Sequence, residues 1–544
     1  MSSQQYVEAI QRAPLIPSPP RRSEYYRYLG RQRVRSLALV LFIVSVGSVY
    51  GIWAVFSKSP PWYPFLLTLA VMIPWTAYIV VLQTYRPRVT WDSHQLVLQA
   101  GAYMLKHSVD VMIPVCGEDP AVVRNTIFHV RRMNWPGRLT IYVCDDGDSP
   151  VIRQMAKGFG VRYLVRPDRP LHKKSGNLNW ALGRSSGEFV AVFDADFAPA
   201  PEFLTETVPY MLYENLGIVQ TSQYFDVKMM ETRNWIQQLS GSTQDMFFCW
   251  AQPARNAADA AMCVGTNVVY RRKALEATNG FPRVEGGGED VITGLDFCTA
   301  GYRTLYVPLN LAKGVCPDTF EAAVNQQYRW ALSSMKMFIG TNGHSESFRR
   351  APLTLKQRLI FWSGALYYTQ SVLVLLLAVL PSLVMFWVFP FDVYPGNYLP
   401  IAPAMLGMFA LPSVIRGWRP TSLRLIVVYS VAHLLAIADV LLNTGGAWIP
   451  TGAVRRSGKV PARAGHITRW WVAASQAGMW VALVKDIPVY GWANYYPAVA
   501  CTLFQTVILV PLLLPGFGTL AQFSLLPHLF MRYRREQKAK AEVR

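Results

Sequence analysis

Phe189-Val190-Ala191-Val192-Phe193-Asp194-Ala195-Asp196 is a short, unbroken apolar run that ends on two carboxylates. The run is rich in valine and aromatic residues, so it reads as a buried strand. In extended backbone, residues two apart share a face. The Asp194 and Asp196 carboxylates can therefore converge on one hard cation, and Mg²⁺ or Mn²⁺ held there would neutralise a diphosphate. A lone Asp-x-Asp arises by chance in many proteins, so its weight depends on what surrounds it.

Working outward, apolar runs at Val109–Val115, Leu139–Cys144, Val161–Val165, Gly217–Thr221, Asn267–Tyr270 and Thr304–Val307 predict further strands between helical stretches. Their continuous apolar character predicts buried parallel strands, hence a Rossmann-like α/β nucleotide-binding sheet with helices on both faces. Ligands of such sheets bind beyond the carboxyl ends of the strands. A second acidic strand end, Cys144-Asp145-Asp146-Gly147, is either a solvated turn or a contact for the ribose or base of a nucleotide. In Gly286-Gly287-Gly288-Glu289-Asp290, glycines lead to a carboxylate just before an apolar stretch. That carboxylate can serve as a general base, or simply as an acidic helix start favoured by the helix dipole. Gln326-Gln327-Tyr328-Arg329-Trp330 offers Arg329 as a phosphate clamp and the Trp330 indole as a face on which a sugar ring can stack; an interfacial anchor is the competing reading.

The apolar content of 52% and the mean hydropathy of +0.18 exceed what a soluble core needs, and the excess is localised. Apolar runs at Ser36–Phe56 and Pro64–Tyr85 precede the α/β region, and runs at Trp362–Val388, Leu399–Ile415, Leu423–Leu442, Trp470–Val484 and Tyr495–Leu514 follow it. At 1.5 Å per residue each of the first two can cross a hydrocarbon core of about 30 Å. The surplus of 53 Lys and Arg over 33 Asp and Glu borders these runs, at Arg21–Arg35, Arg455–Arg469 and Arg532–Lys540. Such placement marks cytoplasmic loops and argues against nucleic acid as a partner. Seven crossings would separate the basic ends, so Leu423–Leu442, with Arg424, His433 and Asp439, is expected to lie in the membrane interface with its charges turned to water. The expected plan is a basic segment 1–35, a transmembrane hairpin 36–86, a cytosolic domain 87–350, membrane and interface helices 351–515 with a loop at 444–469, and a cytosolic tail 516–544. The cysteines form no Cys-x-x-Cys pair, which fits a reduced cytosolic domain and disfavours a thiolate metal site.

Taken in order, Asp-Asp-Gly, Asp-x-Asp, Glu-Asp and Gln-x-x-Arg-Trp, within a domain flanked by membrane helices, resemble the processive family-two glycosyltransferases: cellulose, hyaluronan and chitin synthases and related β-glucan synthases. The resemblance covers roughly Ser108 to Arg350. It implies a GT-A fold set in a transmembrane bundle of a plasma (inner) membrane, with the catalytic domain and both termini cytoplasmic. It implies that Glu118, Asp145, Asp146, Lys174, Asp194, Gln326 and Arg329 bind a UDP-sugar, that Asp194 and Asp196 hold the Mg²⁺ or Mn²⁺, and that Asp290 is the base. Thr266, Glu289 and Trp330 would contact the acceptor end of a growing polysaccharide. Gln220-Thr221-Ser222-Gln223-Tyr224-Phe225 resembles the family's QTPxxF segment, and Trp448-Ile449-Pro450-Thr451-Gly452 resembles a loop that closes over the donor, with Trp448 and Thr451 as its aromatic and threonine. Gly-Glu-Asp stands where cellulose synthases usually have Thr-Glu-Asp, and Val264-Gly265-Thr266-Asn267 where they have Cys-Gly-Ser. These departures leave open an N-acetylated donor, as in hyaluronan-, chitin- or poly-N-acetylglucosamine-type synthases, beside UDP-glucose. A transporter with a decayed transferase domain would need its acidic motifs lost, and they are intact. Lipid, accessory subunits or a second copy are the further partners the resemblance allows.

Overall fold

The computed structural model describes residues 16–29, 88–225, 235–284, 287–339, 343–377, 379–396, 421–444 and 459–514. The runs at Ser36–Phe56, Pro64–Tyr85 and Leu399–Ile415, the basic C-terminal cluster, Gly286, Trp448 and Thr451 lie outside them. In chain order the strands are β1 (Val109–Val115), β2 (Leu139–Asp145), β3 (Arg162–Leu164), β4 (Phe189–Val192), β5 (Ala198–Pro199), β6 (Leu216–Gln220), β7 (Tyr224–Phe225), β8 (Val268–Arg271), β9 (Arg303–Tyr306) and β10 (Ala312–Gly314). Every strand expected from its apolar run is present within a residue of its expected bounds. The principal helices are α1 (Pro120–Val130), α2 (Pro150–Phe159), α3 (Lys173–Leu182), α4 (Trp235–Met246), α5 (Glu289–Thr299), α6 (Phe320–Ile339), α7 (Leu355–Leu377), α8 (Leu380–Val388), α9 (Ser422–Leu441), α10 (Lys459–Tyr490) and α11 (Trp492–Leu509).

The main sheet has the order β3-β2-β1-β4-β8-β6-β9. Alternate residues of β1 feed two cores. Val109, Val111, Ile113 and Val115 pack with Val123 and Ile127 of α1, whereas Met112 joins Val190, Val192 and Leu178 on the α3 side. Each such side chain taken from water contributes about 1.5–3 kcal/mol. The expectation of parallel pairing fails at β8, which is antiparallel to both β4 and β6. Burial on both faces makes a strand continuously apolar whichever way it runs, so the pattern carries no direction. The reversal matters for the site. Val268 opens β8 opposite Val192 and Gln220, the last residues of β4 and β6. The turn Gly265-Thr266-Asn267 therefore enters at the same edge where β1, β2, β4 and β6 end.

A small sheet, β5-β10-β7, lies just past the acidic end of β4. Residues 16–29 are seated on it. The Asn310 amide N–H donates to Tyr25 O (2.9 Å), Lys313 Nζ pairs with Glu24 (3.1 Å) and the Tyr224 hydroxyl donates to Glu24 (3.0 Å). The Tyr28 hydroxyl donates to Asp245 of α4 (2.6 Å), and Arg22 and the Tyr25 hydroxyl both reach Glu202. Part of the segment read as a basic tether is thus a strap.

In the helical half, the run Trp362–Val388 is broken into α7 and α8. Pro381 lies in the first turn of α8, where its missing N–H is harmless but where it could not continue a helix from before. The basic stretch expected as loop through Arg469 is helical from Lys459, with Pro461 again in a first turn. On α9 the polar groups turn inward and not to water: His433 is 0% and Asp439 5% exposed. Arg424 donates to the carbonyls of Val507 and Ile508 at the end of α11. Buried polar side chains hold their places when neighbouring helices supply partners, as α6 and α11 do here.

Candidate active site

The edge built by β1, β2, β4 and β6 and by the turn into β8 gathers the acidic motifs. On β2, Asp145 is buried and serves the turn: Oδ1 accepts from the Gly147 amide (2.8 Å), and Oδ2 from the Ser149 amide (2.9 Å) and the Tyr163 hydroxyl (2.8 Å). Asp146 receives a two-pronged ion pair from Arg166, Nε to Oδ1 at 2.8 Å and Nη2 to Oδ2 at 2.7 Å. The same guanidinium donates to Leu171 O (2.5 Å) and Lys173 O (3.1 Å) and so fastens the turn that starts α3. Arg166 carried no motif in the sequence. Its partner stands in another strand's end, and only the fold joins them. At the end of β1, Glu118 folds back on the Cys116 amide (2.6 Å).

Lys174, in the first turn of α3, is the hub. Its Nζ donates to Asp194 Oδ1 (2.5 Å) and to Gly265 O (2.9 Å). Thr266 Oγ1 accepts from the Asp194 amide (2.9 Å) and so fixes the start of the Asp-x-Asp turn. Gly265 has φ +74°, and a Cβ there would stand 3.1 Å from Asp290 Cβ and 3.4 Å from Lys174 Nζ. A side chain there would be strained by the left-handed backbone and would crowd Asp290. The turn is pinned from behind by Gln220, which accepts from the Val264 amide (2.9 Å) and donates to Thr266 O (2.8 Å). Asp290 stands in the first turn of α5, after Gly288 in the left-handed region (φ 86°). Its Oδ1 accepts from the Val291 amide (2.9 Å).

Charge and burial set these groups apart. Burial first, then repulsion from Asp194 and Glu118, raises the Asp196 carboxyl to about 7. Burial and the neighbouring Glu289 likewise raise Asp290 to about 7. Burial also raises Glu118, with Asp194 adding to it. Burial works against the Lys174 ammonium, yet Asp194, Glu289 and Asp290 outweigh it and raise its pKa. On α6, burial lowers Arg329 to about 10, partly opposed by Glu289 and Asp194. Crowded carboxylates whose mutual repulsion raises their proton affinity are a site that gains from a cation. Among the described residues no three His, Cys, Asp or Glu side chains form a complete cage. Asp194 and Asp196 fit a metal that takes its other ligands from a diphosphate and water, as Mg²⁺ does.

The expected residues Glu118, Lys174, Asp194, Asp196, Thr266, Glu289, Asp290 and Arg329 thus fall at one edge of the sheet, on the evidence of shared hydrogen bonds or mutual charge effects. Asp145 and Asp146 stand at the neighbouring strand end with their carboxylates engaged within the protein. Gln326 and Trp330 lie on the same helix as Arg329, half-buried. Arg166 and the strap are additions that motif reading missed, whereas Gln220 opens the Gln220–Phe225 segment already singled out in the sequence.

A family model described as glycosyl transferase family group 2 matches residues 189–409, from β4 past the helix α8. Residues 189–409 are thus similar to glycosyl transferases of that group. The chain is similar to the UDP-forming cellulose synthase 1 catalytic subunit of Komagataeibacter xylinus, 27% identical over 325 residues, which are 57% of this chain and 42% of that one. It is also similar to the UDP-forming cellulose synthase catalytic subunit of Xanthomonas axonopodis pv. citri, 31% identical over 268 residues, 49% of this chain and 36% of that one. The chain spans less than half the length of these relatives. Among solved structures, the mannosyltransferase PcManGT from Pyrobaculum calidifontis, in complex with GDP-Man and Mn²⁺, covers 69% of this chain and is covered over 99% of its own length. Its identity is 17% and its TM-score 0.41, too loose a likeness to bear on the site.

Proposed function

We propose that this chain is a membrane-embedded, processive, inverting β-glycosyltransferase that polymerises UDP-glucose into a β-glucan and passes the product across the membrane. The observation that carries the reading is the convergence on Lys174: one ammonium bonded to Asp194 and held by Gly265 O within the field of Asp290 and Glu289. An ammonium beside a carboxylate of raised proton affinity supports a transfer from a nucleotide sugar, with Lys174 to neutralise the diphosphate and Asp290 to take a proton.

In the reaction an acceptor hydroxyl attacks the anomeric carbon from the side opposite the diphosphate. The new C–O bond forms as the bond to the β-phosphate oxygen breaks, UDP departs with the electron pair, and Asp290 takes the hydroxyl proton. Mg²⁺ or Mn²⁺ held by Asp194 and Asp196 would neutralise charge on the leaving diphosphate. Lys174 and Arg329 add positive charge to the same group. Gln326 would touch the diphosphate, Asp146 the uridine, and Trp330 would stack on the chain end so that the product stays bound between additions.

The test is product analysis. Purified protein in nanodiscs, given UDP-[¹⁴C]glucose and Mn²⁺ or Mg²⁺, should yield polymer degraded by a linkage-specific β-glucanase and resistant to hyaluronidase and chitinase. Incorporation only from UDP-N-acetylglucosamine, into a glucanase-resistant product, would contradict the glucose assignment.

A further inference from the structure

Helix α6 has two faces with different partners. At 100° per residue, Gln326, Arg329 and Trp330 fall on one side, and Gln327 and Tyr328 on the other. The first side carries the half-buried Arg329, whose guanidinium feels the charges of Glu289 and Asp194 at the acidic edge. The second is fastened to α9. Gln327 Oε1 lies 3.2 Å from His433 Nε2, and the Tyr328 hydroxyl donates to Asp439 Oδ2 at 2.7 Å. Asp439 is 5% exposed; it accepts hydrogen bonds from Tyr328 on α6 and from the Thr444 hydroxyl just past α9 (3.1 Å to Oδ1), and Arg463 in the second turn of α10 lies 3.8 Å from Oδ1 as a long ion pair.

A buried carboxylate joined in this way cannot move without breaking its hydrogen bonds to α6 and to the end of α9, whereas an apolar contact could slide. The Tyr328–Asp439 bond therefore fixes the rotation of α6 about its axis, and with it the places where the next two residues, Arg329 and Trp330, meet their ligands. We infer that Asp439 is a positioning residue for the transfer reaction, acting through Tyr328 on the aim of Arg329 and Trp330. The inference rests on the function proposed above.

The experiment compares the full chain in nanodiscs with Tyr328→Phe, Asp439→Asn and the double variant, measuring UDP release, polymer length and the thermal midpoint. Tyr328→Phe keeps the buried ring and removes only the hydroxyl, so it remains informative should Asp439→Asn fold poorly. We expect Tyr328→Phe to stay folded with a modestly lower thermal midpoint, since a buried acceptor loses its donor, to lower kcat/KM about ten-fold as a displaced clamp would, and to shorten the polymer, because Trp330 no longer meets the chain end squarely. The double variant should be no slower than Asp439→Asn. Unchanged kcat/KM and polymer length in Tyr328→Phe, or additive losses in the double variant, would overturn the inference. A parent protein inactive on every UDP-sugar would instead overturn the glycosyl-transfer reading and this inference with it.

Discussion

Asp196 and Asp290 are carboxyls that the fold holds above their ordinary range, and the sign of that shift is testable. A carboxyl with a raised folded pKa adds stability below its unfolded value and loses it as pH climbs through about 7, so at pH 8 the charged pair works against the fold. Asp196→Asn should accordingly raise the melting temperature at pH 8 without metal and change it little at pH 4. Mn²⁺ should stabilise the parent at pH 8 and leave the variant unmoved; a parent indifferent to Mn²⁺ would contradict the metal assignment. The rate of UDP release should rise with pH through about 7 as Asp290 loses its proton. Arg166, 1% exposed against Asp146, belongs to a different class. Arg166→Ala strands Asp146 without its partner and should cost about 3–5 kcal/mol in urea unfolding. The acidic residues were legible in the sequence because they stand at strand ends in short motifs. Arg166 was not, because nothing near it in sequence announces a buried ion pair.

At the level of elements, apolar runs gave the strands nearly to the residue, while the direction of β8 stayed hidden because a doubly buried strand looks alike in either sense. That hidden reversal is what brings Gly265 and Thr266 to the active edge. The polar residues of α9 suggested a wet face, and the structure instead spends them on α6 and α11. A charged residue in an apolar helix shows that a partner exists without showing which. The strap, residues 16–29, was legible only as positive charge. Two of its contacts are carboxylates with depressed pKa. Glu24 is lowered despite its burial, by the Arg21 amide and Lys313, and Glu202 likewise by Arg22 and the Tyr25 hydroxyl. Depressed carboxyls contribute stability above their ordinary value of 4.5 and lose it as pH falls through their folded values. Hydrogen exchange should therefore show Tyr25 to Tyr28 losing protection between about pH 5 and pH 3 ahead of the β1 amides. Simultaneous loss in both would mean that the strap is no separate unit.

The molecule as a whole joins an α/β domain to long apolar helices. Two described helical segments, Ser422–Leu441 and Trp492–Leu513, are long and apolar enough to cross a bilayer by length and composition. The first is the run that charge bookkeeping had assigned to the interface, and 61% of its window is buried within the protein. Packing against α6 accounts for much of that burial. Transfer is the claim on which export depends, and the proposed base, Asp290, is where it can be tested. The most direct measurement is UDP release from UDP-glucose by the purified chain with Mn²⁺, set beside Asp290→Asn. The account predicts turnover in the parent, and in the variant a loss of more than about a hundred-fold with UDP affinity kept within a few-fold. Undiminished turnover in Asp290→Asn would contradict it.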